Sequence, residues 1–196
     1  MGKIFIVRHG QDEDNANGIL NGRRNKPLTI LGREQAGTVA EKLHSYEIDV
    51  IYSSPLKRAF ETAQIIASKL KRDNILVHEH LIEREFGILS GKPISDIPLF
   101  AKKILKTDRV NYFLEAEGAE KFSDLYERAQ KILHEIKEKH AHENVLVVAH
   151  GDIGKMMRAV HHKWTWREGL KKPYFENTGI LELNESQDKI HNTPIS

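Results

Sequence analysis

Residues 3–7 (KIFIV) and 145–149 (VLVVA) are near-continuous apolar runs rich in β-branched side chains. They lack the polar alternation of a half-exposed strand, so they predict central strands buried on both faces of a parallel sheet. Shorter strands are predicted at Val50–Ser53 and at 75–78, with another near Ile180–Leu183. The stretches between them follow a helical period. Phe60, Ala63, Ala67 and Leu70 recur at three- and four-residue intervals, as do Phe122, Leu125, Ala129, Leu133 and Ile136 in a longer helix near 120–139. Ser54 and Pro55 fit the N-cap and first position of the earlier helix.

Strands alternating with helices predict a three-layer α/β sandwich with a mostly parallel central sheet, and in such sheets ligands bind beyond the carboxyl ends of the strands. No repeat, low-complexity segment or linker interrupts the 196 residues, so one domain spanning 1–196 is expected, with a loosely packed tail after about Asn184.

Composition narrows the chemistry. The 30 Lys and Arg residues against 28 Asp and Glu give a net charge of +2, too small to imply a nucleic-acid or membrane partner. Lys102, Lys103, Lys106 and Arg109 cluster at helical spacing and read as a solvated face. The absence of cysteine excludes disulfides, thiolate–zinc sites and thiol nucleophiles, and suits a cytoplasmic location. The apolar run from Ile4 to Val7 is too short for a signal peptide and nothing is long enough to span a bilayer; Met1-Gly2 lacks the Ser or Thr at position 6 of a myristoylation start, where Ile6 stands.

The candidate chemistry sits at the ends of the two buried runs. Arg8-His9-Gly10 follows the first and His150-Gly151-Asp152 the second. A lone histidine at a strand end is more often a hydrogen-bonded packing residue, but two in the same strand–His–Gly context point to a shared site, where Gly10 and Gly151 allow a sharp turn and a close ligand approach. His44, His134, His140, His142 and His191 lack that context and are expected at the surface. Arg58, in the first turn of the helix after Ser54, adds a forked cation where the helix dipole already favours an anion. With Arg8 and a protonated His150 it would surround a phosphate dianion with fixed positive charge.

Four segments in order, RHG at 8–10, SSPLKRAFETA at 53–63, LIEREFG at 81–87 and AHGD at 149–152, resemble the histidine phosphatase superfamily, also called phosphoglycerate mutase-like. The resemblance spans at least residues 3–183 and implies a phosphoglycerate mutase-like fold. It also implies that His9 is a nucleophile forming a phosphohistidine and that Arg8, Arg58 and His150 bind the phosphoryl group. Glu83, in the pattern L-x-E-x-x-x-G, is implied as proton donor, with Glu85 as its nearby competitor. Asn15, Asn21 and Gly22 fall where the family contacts substrate, although Asn-Gly alone is simply a turn.

These expectations make the chain a phosphomonoester hydrolase acting on a small-molecule phosphoester, with fixed cations in place of a metal and no cofactor. Nucleic acid is not expected as a partner, and monomer or homodimer stays open. A phosphoglycerate mutase or related phosphotransferase is the alternative, and a non-catalytic phosphate-binding module a second. The segment from Lys92 to Ala119 suffices for a short helical lid and little more, which favours the phosphatase. His78-Glu79-His80 is a rival metal reading to which His161-His162 could add, but without a third carboxylate at metal spacing. Asp12-Glu13-Asp14 are expected to point to solvent at the rim or to select positively charged substrates, while Arg23 and Arg24 could engage a second anion. Trp164-Thr165-Trp166 is either a partner surface or ordinary packing.

Overall fold

The computed structural model describes residues 2–184 and 188–191. Its strands are β1 (Ile4–Arg8), β2 (Val50–Ser53), β3 (Ile75–Val77), β4 (Lys103–Lys106), β5 (Asn111–Glu115), β6 (Val145–Ala149), β7 (Ile180–Leu183) and β8 (Lys189–His191). Its α-helices are α1 (Glu13–Ala16), α2 (Ile30–Leu43), α3 (Lys57–Leu70), α4 (Ile97–Phe100), α5 (Phe122–Lys139), α6 (Gly151–His161) and α7 (Trp166–Lys171). Among the described residues, six strands form one sheet in the order β3-β2-β6-β1-β7-β8. β3, β2, β6 and β1 run parallel, and β7 and β8 close one edge antiparallel.

The pleat explains why β1 and β6 are apolar throughout. Ile4, Ile6, Val145, Val147 and Ala149 pack with α5, α6 and α7 on one face, in contact with Phe122, Leu133, Met156 and Leu170. Phe5, Val7, Leu146 and Val148 face the other way, onto Val39, Leu43, Ala63 and Ile66 of α2 and α3. Both faces are covered, giving the expected three layers, and each fully buried Ile or Leu contributes about 1.5–3 kcal/mol of apolar burial.

Register carries this architecture to chemistry. Arg8 lies beside Ala149 and Val148 beside Ser53, so His9, His150 and Ser54 emerge together at the carboxyl ends of three adjacent strands. The backbone ladder continues one step further, His9 N donating to Ala149 O at 3.0 Å and Ser54 N to Val148 O at 3.1 Å.

Several expectations need correction. Helix α3 starts at Lys57 with Leu56 as an N-cap lacking a side-chain bond; the Ser54 hydroxyl sits too early in the chain, accepting from Leu56 N at 3.3 Å and meeting the His150 ring. Its buried stripe is Ala59, Thr62, Ala63, Ile66 and Ala67, with Phe60 half-buried. The 92–119 stretch is only partly helical: a 3₁₀ turn at Ile94–Asp96 runs into α4, and beyond it the chain forms the β4–β5 hairpin, closed where the Thr107 backbone N and hydroxyl both bond Val110 O. Lys103 and Lys106 are therefore the exposed ends of a strand, and their three-residue spacing had mimicked a helix.

The tail after Asn184 is docked where it is described. β8 pairs with β7, and the fully buried Asp188 carboxylate meets Arg158 Nε at 2.6 Å and His162 Nε2 at 2.8 Å. The rest of that expectation, at 185–187 and 192–196, lies outside the described residues. His140 is also not at the surface, since its Nε2 meets the Tyr52 hydroxyl at 3.0 Å. Trp166 stacks on Phe122 and Trp164 on His162, each half-buried.

Candidate active site

At the carboxyl edge the two histidine rings stand 5.1 Å apart, both buried. His9 Nδ1 lies 2.7 Å from Gly10 O, which can only accept, so the proton sits on Nδ1 and the lone pair on Nε2. Arg58 Nε donates to that lone pair at 3.1 Å. Burial first, then Arg58 and Arg8, hold the His9 pKa well below its ordinary value, leaving a neutral imidazole with an outward lone pair. His150 is shifted down in the same way by burial, Arg58 and His9, which favours a neutral ring over the protonated one expected from the sequence. Its Nε2 meets Ser54 Oγ at 2.8 Å.

Arg58 is fully buried at the start of α3 and held from several sides. Its NH1 donates to Arg24 O at 2.6 Å, its NH2 to Gly22 O at 2.7 Å, and its Nε lies 3.3 Å from Asp12 Oδ2. Asp12 and Asp14 therefore do not point to solvent. Asp12 neutralises Arg58, accepts from Asn21 Nδ2 at 2.6 Å and caps α1, and Asp14 pairs with Arg24 at 2.8 Å. Glu13 alone of the three is exposed. The two arginines raised as ligands for a second anion keep exposed side chains but already have partners within the protein, Arg24 on Asp14 and Arg23 on Glu83 O and Glu120.

Glu83 is buried beside the N-terminus of α6. It accepts from the backbone N of Arg84 at 2.9 Å, of Asp152 at 3.2 Å and of Ile153 at 3.3 Å. Burial and the neighbouring Asp152 charge nevertheless push its pKa up against those donors. Glu85, its competitor, instead caps a turn, taking Phe86 N, Gly87 N and Ser90 Oγ on one oxygen.

Arg8, Asn15, Asn21, Glu83 and Gly151 line one cleft of about 400 Å³ with Tyr112 and Tyr174. Gly22 stands just behind it at φ +49°, with its carbonyl on Arg58. Gly151 is required by close approach, since a Cβ there would stand 2.7 Å from the Tyr174 hydroxyl. Among the described residues, the buried side-chain polar atoms without a partner are Arg8 Nε, Tyr112 Oη and His150 Nδ1, all at this site. Such polar atoms are costly unless a partner meets them, and the Arg8 Nε–H among them is a donor suited to an anion.

The expected residues thus converge. Those missed are Asp12, Ser54, Arg84, Tyr112, Asp152, Tyr174 and Asn177. Arg84 and Asp152 lay inside the motifs but had no role; they pair at 2.7 Å, with the guanidinium enclosed by Phe86, Phe113 and Phe122. Asn177, on a loop with no sequence signal, donates to His9 O at 2.8 Å and Asn15 Oδ1 at 3.1 Å. His78 Nε2 meets Glu135 Oε2 at 3.2 Å and its Nδ1 accepts from the His80 backbone N at 3.1 Å, away from the cleft. His161 and His162 do gain the carboxylate that the sequence did not show, Asp188, with ligand atoms within 4.8 Å of one another. Arg158 and Lys137 already bond this group, a cationic setting that opposes a metal ion.

A family model described as histidine phosphatase superfamily (branch 1) matches residues 4–193. The chain is 38% identical over 155 residues to phosphoglycerate mutase-like protein 4 of Arabidopsis thaliana, covering 77% of this chain and 67% of that protein. It is 30% identical over 195 residues to a metal-independent phosphoserine phosphatase of the same plant, covering 94% and 78%. Among solved structures, phosphoserine phosphatase from Entamoeba histolytica in complex with 3-phosphoglyceric acid superposes with a TM-score of 0.76 at 27% identity, covering 93% of this chain and 90% of that one.

Proposed function

The chain belongs to the histidine phosphatase superfamily, branch 1, and we propose that it hydrolyses phosphomonoesters by way of a phosphohistidine on His9. The observation that carries this reading is the neutral His9 imidazole, its Nε2 lone pair held by Arg58, with the unpartnered nitrogens Arg8 Nε and His150 Nδ1 at the same site.

In this reading a phosphate dianion displaces the Arg58–His9 hydrogen bond and draws Arg58 and Arg8 onto its oxygens. Nε2 then attacks phosphorus in line with the ester oxygen, and Glu83, protonated, gives its proton to that oxygen as the P–O bond breaks. Water next attacks the phosphohistidine and Glu83 takes a proton from it, which releases phosphate and regenerates both groups. Fixed guanidinium charge supplies the stabilisation of the phosphoryl oxygens. A raised pKa at Glu83 suits both halves of the cycle.

Hydrolysis is favoured over mutase chemistry because the 92–119 stretch adds only short helical turns and the β4–β5 hairpin beside the cleft, and no long covering insertion. Phosphoserine, named for a relative and for a solved neighbour, is a first substrate to offer. Rapid-quench mixing with ³²P-labelled phosphoserine and an aryl phosphate is expected to trap an acid-labile label on His9 and to release phosphate steadily, with negligible isomerisation of phosphoglycerate. The His9→Ala protein should show neither. Product formation without a trapped species, or turnover that survives His9→Ala, would overturn the proposal.

A further inference from the structure

The cleft contains charges that the chemistry proposed above does not use. Its lining includes Arg8, Glu83, Arg84, Arg109, Asp152 and Glu176. Arg8 and Glu83 belong to the phosphoryl site, and Arg84 and Asp152 neutralise each other at 2.7 Å. Among the described residues of the lining, that leaves Arg109 and Glu176.

These two come from distant parts of the chain and meet at the cleft wall. Arg109 lies in the turn of the β4–β5 hairpin, and Glu176 lies one residue before Asn177, whose amide bonds the His9 carbonyl. Arg109 NH1 and Glu176 Oε1 are 2.7 Å apart, with the arginine side chain 64% exposed and the glutamate 32%. A solvent-screened pair of this kind is weak, so exchanging its partners is easy. The same two side chains also wall a cleft of about 400 Å³, near the lower end of the roughly 300–1,000 Å³ typical of small-molecule pockets.

We propose that Arg109 and Glu176 read the leaving group: the pair opens, Arg109 takes a carboxylate and Glu176 an ammonium, selecting small phosphomonoesters that carry both charges. A zwitterion replaces the pair with two new ion pairs. A leaving group with a carboxylate alone takes Arg109 from Glu176 without giving the glutamate a new cation, one with an ammonium alone does the reverse, and a neutral one leaves the pair closed. The opposite signs at this wall therefore disfavour a second phosphate or a polycation. The inference rests on the phosphomonoesterase reading and adds its specificity determinants.

The test is a panel graded by charge: phosphoserine (both groups), 3-phosphoglycerate (carboxylate), phosphoethanolamine (ammonium) and 4-nitrophenyl phosphate (neither), with kcat/KM measured for the unaltered protein, Arg109→Ala and Glu176→Gln. Arg109→Ala should lower the ratios of phosphoserine and 3-phosphoglycerate to the aryl ester by about tenfold, the factor carried by one charged hydrogen bond. Glu176→Gln should lower the ratios of phosphoserine and phosphoethanolamine to the aryl ester by a similar factor. Ratios unmoved by both substitutions, including a uniform fall across the panel, overturn the inference. Failure of the underlying reading looks different: the unaltered protein then turns over none of the four.

Discussion

Arg58 Nε donates to His9 Nε2 at 3.1 Å, so the lone pair proposed to attack phosphorus is engaged by the cation proposed to bind the phosphoryl oxygens. The same guanidinium reaches Asp12, Arg24 O and Gly22 O, a spread of directions that a planar fork can span and an ammonium cannot. Arg58→Lys is therefore expected to behave as a loss. Steady-state kinetics on an aryl phosphate should show kcat reduced by roughly 10²–10³, as for removal of one fixed donor to transition-state charge. Retention of more than half the activity would mean that the guanidinium geometry is not used.

Asp12 stands opposite, fully buried and 3.3 Å from Arg58. Removing one member of a buried pair costs about 3–5 kcal/mol because the other charge is stranded. Asp12→Ala should lose stability of that order in urea unfolding, with a smaller loss for Asp12→Asn, which keeps an acceptor oxygen. Loss of activity with unchanged stability would instead make Asp12 a substrate contact.

The residues of this site were largely legible in the sequence, and what supports them was not. His9 and His150 announced themselves because continuous apolar runs fix two adjacent parallel strands, and the residue after each run must emerge at the same edge. Asp12 was misread because acidic residues beside a proposed anion site look repulsive until their arginine partners, Arg58 and Arg24, are placed. Nothing local marks Asn177 or Tyr174, which reach the site through the antiparallel return of β7. The β4–β5 hairpin was missed for a related reason: its lysines at i and i+3 satisfy a helical period, and the Thr107–Val110 turn that decides otherwise is closed by a side chain.

Glu83 is held in a raised-pKa state by burial and by Asp152, so it keeps its proton further toward neutrality than a free carboxyl. The step that needs the protonated form should fail as pH rises through that raised value. For an alkyl phosphate, kcat/KM should fall on its alkaline side with this pKa, and Glu83→Gln should flatten that limb at activity lower by about 10²–10⁴. An aryl phosphate, whose leaving group needs less protonation, should suffer less in the first step and show a burst. Asp152→Asn removes a charge that opposes ionisation of Glu83 and should shift the alkaline limb to lower pH. An unmoved limb would indicate that another group gives the proton.

Lys155 offers a test of the fold that is independent of turnover. Its ammonium is buried beneath the loop that carries Tyr174, donating to Leu170 O at 2.8 Å and Lys172 O at 2.7 Å, above the rings of Tyr112 and Tyr174. Burial pushes its pKa from 10.5 down to about 8, with Arg158 adding to the shift and Asp152 opposing it. Because the folded value is depressed, the unfolded chain binds more protons between about pH 8 and 10.5, and unfolding free energy must rise with pH across that window. A shift of this size corresponds to about 3 kcal/mol. Tyr174 is itself held at about 12, and Tyr112 is also shifted upward, so neither ring ionises within the window. Groups elsewhere titrate equally in wild type and in Lys155→Met, and so cancel when the two are compared by urea unfolding at successive pH values. The stability of the wild type relative to Lys155→Met should therefore climb from pH 8 upward, even though the substitution leaves two carbonyls without their donor at every pH. A difference that stays flat would mean that the ammonium keeps its ordinary pKa, and with it a hydrated position that the packing of this loop does not provide.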